Sequence, residues 1–292
     1  MNSFRIGITS AVAAQLLWGL FPLYWKQVSH VPSLEVLSHR NLWCLVFLAA
    51  VVMISTNRRS TVSEALGSPR QWLIHGVAGV LIAINWGVYI YAVSVDRVVD
   101  ASFGYFMSPL ISVALGAIFY RERLSAWRMT AVAMAVAAVL ILVLMAGVFP
   151  VIGLSLGFSF AIYGSLRKAA STGPISGLFV ESLIIAPIAL LYLAKLWQGD
   201  TLVLGQLDMR TDLLLVLGGV VTAVPLMLFG NGARRLPLSL SGMLVYITPV
   251  MQFLIGWRVY NEVIEPLTWL AFGLIWCALV LYTVDTQRQS TK

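Results

Sequence analysis

Long apolar runs separated by short polar connections occupy almost the whole chain. An apolar run of about 20 residues is what an α-helix needs to cross a hydrocarbon core of about 30 Å. Ten runs qualify: 6–25, 35–55, 72–93, 101–120, 127–146, 148–166, 176–196, 212–233, 238–259 and 267–283. The pattern predicts an all-α membrane protein with ten transmembrane helices. So little chain remains between the runs that no catalytic or nucleic-acid-binding domain fits there.

The runs also repeat. Pro109, Gly116, Tyr120, Glu122, Ala131 and Ala138 recur 140 positions later as Pro249, Gly256, Tyr260, Glu262, Ala271 and Ala278. A weaker match at an offset of 142 pairs Trp18 with Phe160, Phe21 with Tyr163 and Lys26 with Lys168. The short 147–150 connection divides the chain into residues 1–146 and 147–292, each with five runs. A duplicated module with an odd number of spans re-enters the bilayer the other way up, so the expectation is two inverted-topology five-helix repeats.

Composition agrees with a lipid environment. Hydrophobic residues make up 60% of the 292 and charged residues 11%, too few to cover a soluble fold. The net charge of +7 matters through its placement. With the N-terminus inside, Arg5, Arg58, Arg59, Arg70, Arg121, Arg123, Arg128, Arg167, Lys168, Arg234, Arg235, Arg288 and Lys292 fall in cytoplasmic segments. Lys26, Arg97, Lys195, Arg210 and Arg258 face out. This bias predicts both termini in the cytoplasm. The repeat agrees: Arg121-Glu122-Arg123 is basic, whereas its counterpart Asn261-Glu262-Val263 has lost both arginines. Cys44 and Cys277 both lie within expected spans, so neither a disulfide framework nor a cysteine metal site is expected. Ala11-Val12-Ala13 resembles a cleavage site, but the apolar run continues past it to Trp25 and is long enough to span.

Candidate chemistry lies inside the runs. Gly104, Ser108, Ser112 and Gly116 share one helical face, and Thr248, Gln252 and Gly256 form the equivalent face of the ninth span. For the glycines close helix packing is the better explanation; the hydroxyls and the glutamine suit the border of a wet cavity. Pro109 and Pro249 predict kinks that free a carbonyl near the midplane. The ionisable residues that stand out within spans are His39, Arg40 and Glu181, and Glu181 is the counterpart of His39 at the 142 offset. His39 and Glu181 are proton-coupling candidates; snorkelling accounts for Arg40 as well as any functional role does. Asn85, Gln15 and Asn231 suit interhelical hydrogen bonds. Asn85 beside Trp86, with Tyr89, Tyr105, Trp18 and Tyr246, also suits a pocket for an aromatic or apolar solute. Trp72, Trp127 and Trp269 read as interface anchors. The chain lacks HExxH, a Gly-x-Ser-x-Gly elbow and a phosphate-binding glycine loop, which argues against an enzyme or an ATP-driven pump.

The runs Trp18-Gly19-Leu20-Phe21-Pro22, His39-Arg40, Asn85-Trp86, Ala101 to Phe106, Glu122-Arg123-Leu124, Tyr163-Gly164, Arg167-Lys168, Thr222 to Leu226 and Tyr246-Ile247-Thr248-Pro249 together resemble the RarD-type permeases. These form part of the EamA branch of the drug/metabolite transporter superfamily. The resemblance implies a bacterial inner membrane location and export of small metabolites or drugs. It also implies a central cavity lined by helices one to four and six to nine, with five and ten as scaffold. Two departures stand out: Ser108 replaces the family's common asparagine before the fourth-helix proline, and Val245 replaces a glutamine before the ninth-helix tyrosine. The resulting expectation is a secondary transporter working by alternating access, with protons as the candidate coupling ion. Its partners are a small-molecule substrate and the bilayer, not nucleic acid; no cofactor is implied and the oligomeric state stays open. A non-transporting receptor or assembly partner is the alternative. A membrane-embedded enzyme fits less well, since His39 and Glu181 are expected in opposite leaflets.

Overall fold

The computed structural model describes residues 3–54, 68–120, 124–145, 147, 149–170, 172–233, 235–236, 240 and 244–290. Among these residues the regular structure is entirely helical. In chain order the helices are α1 (Ser3–Gly19), α2 (Phe21–Trp25), α3 (Ser33–Ile54), α4 (Pro69–Ser94), α5 (Val98–Tyr120), α6 (Ala126–Leu140), α7 (Val151–Ala169), α8 (Pro174–Gln198), α9 (Met209–Ala233), α10 (Ile247–Leu254) and α11 (Pro266–Ser290). Single π-helical turns extend α6 over Ile141–Met145 and α10 over Ile255–Val259.

Seven helices are long and apolar enough to cross a membrane, and an eighth span results if the bent pair α1 and α2 counts as one. The pair is bent by 40°. The break falls at Leu20, and Pro22 opens the next helix, where its missing N–H costs nothing. The sixth expected run forms α7, 19 residues long. Of the ninth, the described residues from 247 onward form α10 and its π turn; 238–239 and 241–243 lie outside the described residues.

The bundle is apolar outward and polar inward, as lipid requires. Leu190, Leu191, Leu213, Leu217, Val136 and Val280 are exposed, whereas Gln15, Glu35, Arg40, His75, Asn85, Glu181 and Gln252 are buried. Packing partners follow an exchange rule. α5 packs on α7 as α10 packs on α1; α3 on α9 as α8 on α4; α1 on α9 as α7 on α4. α6 pairs with α11, α3 with α8 and α5 with α10. The repeated alanines explain part of this: Ala131, Ala138, Ala271 and Ala278 are all at 0% exposure, letting α6 and α11 approach closely. Beside them Phe106, Phe253, Phe272 and Trp276 form an edge-on aromatic cluster joining α5, α10 and α11.

Helix ends are fixed by recurring devices. Asp96, Asp200 and Asn261 take positive φ (56°, 52° and 54°) just past helix ends, a conformation short polar side chains tolerate. At Asp200 the cap is completed by Thr201 N donating to Leu196 O at 3.0 Å. Asp208 accepts from both the amide and the hydroxyl of Thr211, each at 2.9 Å, and so caps α9. Those bonds, the amide's first, hold its carboxyl below the usual range.

Candidate functional site

A cavity of about 710 Å³ lies between the halves. Its wall takes residues from α1 to α5 and from α7 to α10; among the described residues α6 and α11 contribute none. Trp18, Asn85, Tyr89, Tyr105, Ser108, Thr248 and Gln252 line it, as do Pro249 and Val245. Tyr246 instead packs against the aromatic cluster of α5, α10 and α11.

The polar residues of the wall are largely tied to one another. Asn85 donates to Leu156 O at 3.0 Å and Ser159 Oγ at 2.9 Å, and accepts from Tyr105 Oη at 3.0 Å. This stitches α4, α5 and α7 together at one depth. Across the cavity Thr248 donates to Gln15 Oε1 at 2.7 Å, and Gln252 donates to Trp18 O at 3.2 Å, closing α10 onto α1. Ser108 Oγ donates to Tyr105 O at 3.1 Å. That carbonyl lies four residues before Pro109, so the hydroxyl replaces the amide bond proline removes. Pro109 sits inside α5, whereas Pro249 sits in the first turn of α10. In a first turn the missing donor has no intrahelical partner to lose.

Arg40 lines the cavity and is 3% exposed. Its Nε donates to Thr222 Oγ1 at 2.8 Å, and its guanidinium lies 4.1 Å from the Trp86 ring centroid, 5.1 Å from Trp25 and 5.7 Å from Phe21. Snorkelling is therefore not what Arg40 does: the charge is held inside an aromatic box. His39, the adjacent residue, is 3% exposed and turned toward Glu35, with Nε2 and Oε1 3.8 Å apart. It does not line the cavity. Glu35 accepts from Val203 N at 2.7 Å, fixing the loop before α9.

At one end of the cavity, Arg167, Thr172 and Tyr163 lead to Glu181, which is 1% exposed. Its carboxylate accepts from Arg167 Nη1 at 3.2 Å, from Tyr163 Oη at 3.0 Å and lies 3.2 Å from His75 Nδ1. His75 Nε2 is 3.1 Å from Thr172 Oγ1, which also accepts from Arg167 at 3.3 Å. A neutral imidazole carrying its proton on Nδ1 satisfies every member of this chain. Gly177 makes the approach possible, because a Cβ there would collide with the Arg167 guanidinium. Sequence reasoning did not single out His75, although an imidazole inside the 72–93 run was signal enough. Arg167 lay at the expected boundary of its span, and nothing in the sequence turned it inward.

The opposite end is held shut by contacts between the halves. Tyr260 Oη donates to Pro22 O at 3.0 Å and Tyr24 Oη donates to Leu214 O at 2.5 Å, while Lys26 pairs with Asp96 at 2.5 Å within the first half. Glu262 accepts from the amides of Val98 at 2.7 Å and Val99 at 2.8 Å, capping α5 from the other half. Burial, and more weakly the neighbouring Asp100 and Asp96, keep its carboxyl above the usual range against the pull of those amides. Its repeat counterpart Glu122 lies outside the described residues.

An aromatic-walled chamber with tethered polar groups, inside a bundle whose outer faces are apolar, defines a multi-pass membrane transporter. The EamA-like transporter family matches residues 5–144 and again 147–284, and the chain belongs to that family. Within it the chain is a RarD-type permease, a transporter and not an enzyme. It is 40% identical over 279 residues to the uncharacterized transporter YojE of Bacillus subtilis, covering 95% of this chain and 93% of that one. It is 37% identical over 292 residues to the protein RarD of Escherichia coli K12, covering 99% and 98%. At 29% identity it matches the chloramphenicol-sensitive protein RarD of Pseudomonas aeruginosa over 98% of this chain and 96% of that one. One crystal structure shares the fold at a TM-score of 0.57 and 18% identity, over 98% of this chain and 99% of that chain.

Proposed function

We propose that the protein is a secondary exporter of small amphipathic or aromatic solutes in a bacterial inner membrane, working by alternating access. In this reading residues 1–146 and 147–292 are inverted five-span repeats, giving ten spans with both termini cytoplasmic. The exchange rule in helix packing and the double family match support the repeats, and the distribution of Lys and Arg supports the orientation. The observation that carries the reading is a cavity between the halves that reaches Arg167 and Gly230 at one end, while near Lys26 the halves are joined by the Tyr24–Leu214 and Tyr260–Pro22 bonds. This is the arrangement of one alternating-access state, facing the cytoplasm.

Glu181 is the proposed proton carrier, with His75 and Arg167 as the groups that exchange partners when it is protonated. A neutral Glu181 no longer holds Arg167, which frees the cavity end to rearrange. His39, turned away from the cavity, is left out of the path.

Everted vesicles containing the protein, assayed for pH-driven uptake of a labelled panel of aromatic and apolar metabolites, test this. Chloramphenicol belongs in the panel because a relative carries its name. Uptake that depends on the pH gradient in the wild type and loses that dependence in Glu181→Gln is expected. Unchanged coupling in the variant removes Glu181 from the mechanism. Absence of flux for every compound, with the protein folded, favours the receptor alternative.

A further inference from the structure

We infer that the cavity selects organic anions, and that Arg40 is the residue that binds the anionic group. The inference deepens the transporter reading and rests on its cavity being the solute site. Two charged side chains line that cavity among the described residues, Arg40 and Arg167. Arg167 is neutralised by Glu181 at 3.2 Å. Arg40 has no carboxylate within ion-pair distance among the described residues, and its Nη1 is buried without a hydrogen-bond partner. The wall therefore carries one uncompensated positive charge.

A lone buried guanidinium in a membrane protein is costly, by several kcal/mol on most scales. The rings of Trp86, Trp25 and Phe21 offset part of that cost through their π faces, and Thr222 engages one nitrogen. Together they hold the fork in place without using up its charge. The Tyr89 hydroxyl, also lining the cavity, is a second buried group without a partner. A carboxylate can accept from such donors, while the aromatic walls suit an apolar or aromatic body. The ligand chemistry is thus an amphipathic monoanion, an aromatic or branched carboxylate, rather than a cation or a neutral drug.

The test is equilibrium binding to the full-length protein in neutral-detergent micelles, read by quenching of its tryptophan fluorescence. Phenylacetate, 3-phenylpropanoate and indole-3-acetate are each titrated beside the matching primary amide, which keeps the body and removes the charge. The expected result is at least one acid bound about tenfold or more tighter than its amide, the scale of a charge-assisted hydrogen bond. Arg40→Gln abolishes that preference, while Arg40→Lys keeps part of it. Amides bound as tightly as acids, no acid bound at all, or a preference that survives Arg40→Gln overturns the proposal. If Arg40→Gln does not fold, the wild-type acid-to-amide ratio decides alone. A merely structural clamp would lower stability in Arg40→Gln without changing that ratio. Acid-selective binding without flux leaves this inference standing and removes the transporter reading; flux of neutral solutes with no acid preference does the reverse.

Discussion

Adding one methyl group at each of two repeat-related glycines should have unequal consequences. Gly79 in α4 and Gly219 in α9 are 140 positions apart, and each faces a helix of the other half. A Cβ on Gly79 would lie 3.2 Å from Glu181 O and 3.4 Å from Ile185 Cγ1, a fit that a shift of a few tenths of an ångström relieves. A Cβ on Gly219 would lie 2.6 Å from Trp43 O and nearer still to the Trp43–Cys44 peptide atoms, all of them backbone. Ordinary contact begins near 3.4 Å, so α3 and α9 must part by about an ångström. Replacing glycine by alanine in a helix gains about 1 kcal/mol at either site. Against that, overpacking costs about 1–3 kcal/mol, at the upper end or beyond where rigid backbone is the obstacle. Gly79→Ala should then fall within about 1 kcal/mol of wild type, and Gly219→Ala should lose about 1–3 kcal/mol. Denaturant unfolding in micelles measures the difference. A local readout is Cys44, fully buried beside the clash, whose maleimide reactivity in a Cys277→Ser background should rise only in Gly219→Ala. Equal stability of the two variants with Cys44 still unreactive would refute the reasoning.

Breaking the buried pair in either single variant, Glu181→Gln or Arg167→Gln, should cost about 2–4 kcal/mol, with the double variant recovering part of the sum; unfolding free energies that simply add would deny the coupling. Ser108→Ala should cost about 1–2 kcal/mol by orphaning Tyr105 O, and adding Pro109→Ala should restore it, because the new amide reaches the same carbonyl. A melting-temperature series over both backgrounds checks this. Glu262 gives a pH prediction. Its folded carboxyl titrates above the ordinary value, so its favourable contribution is present below the unfolded pKa and is lost as pH rises through the folded one. Glu262→Gln should flatten the melting temperature against pH between about 4 and 7, and superimposable wild-type and variant profiles would exclude the role.

Hydrophobic run length placed most of the helices because lipid-facing segments must be apolar on a scale set by the bilayer. It also placed Asn85, Thr248 and Gln252 on cavity-bearing helices, since a buried amide or hydroxyl needs a partner wherever it lies. Run length says little about what a helix does within its span. The break at Leu20 and the first-turn position of Pro249 depend on how chain ends pack, and periodicity carries no record of that. Tyr246 shows the same limit: one residue before α10, its direction is set by a turn, and it joins the scaffold cluster while Val245 meets the cavity. Arg40 was visible as an intramembrane cation, but the choice between snorkelling and an aromatic box required Phe21 and Trp25 of α2 and Trp86 of α4 to converge on it. The Glu181 cluster was half legible, through the carboxylate; its partners His75 and Arg167 come from segments 106 and 14 residues away.

The Lys26 end is crossed by a few hydrogen bonds set over an apolar seam that includes Trp25, Val28, Val93, Val98 and Leu215. Lys26 and Asp96 belong to the same half, and with side chains 27% and 56% exposed their ion pair contributes at most about 1 kcal/mol. The tyrosine hydroxyl bonds add about 1 kcal/mol each. In the proposed alternating-access cycle, opening this end must part the apolar seam as well as its hydrogen bonds; because Phe21 and Trp25 belong both to the seam and to the box around Arg40, the same residues bear on how readily the cavity opens and on what it holds.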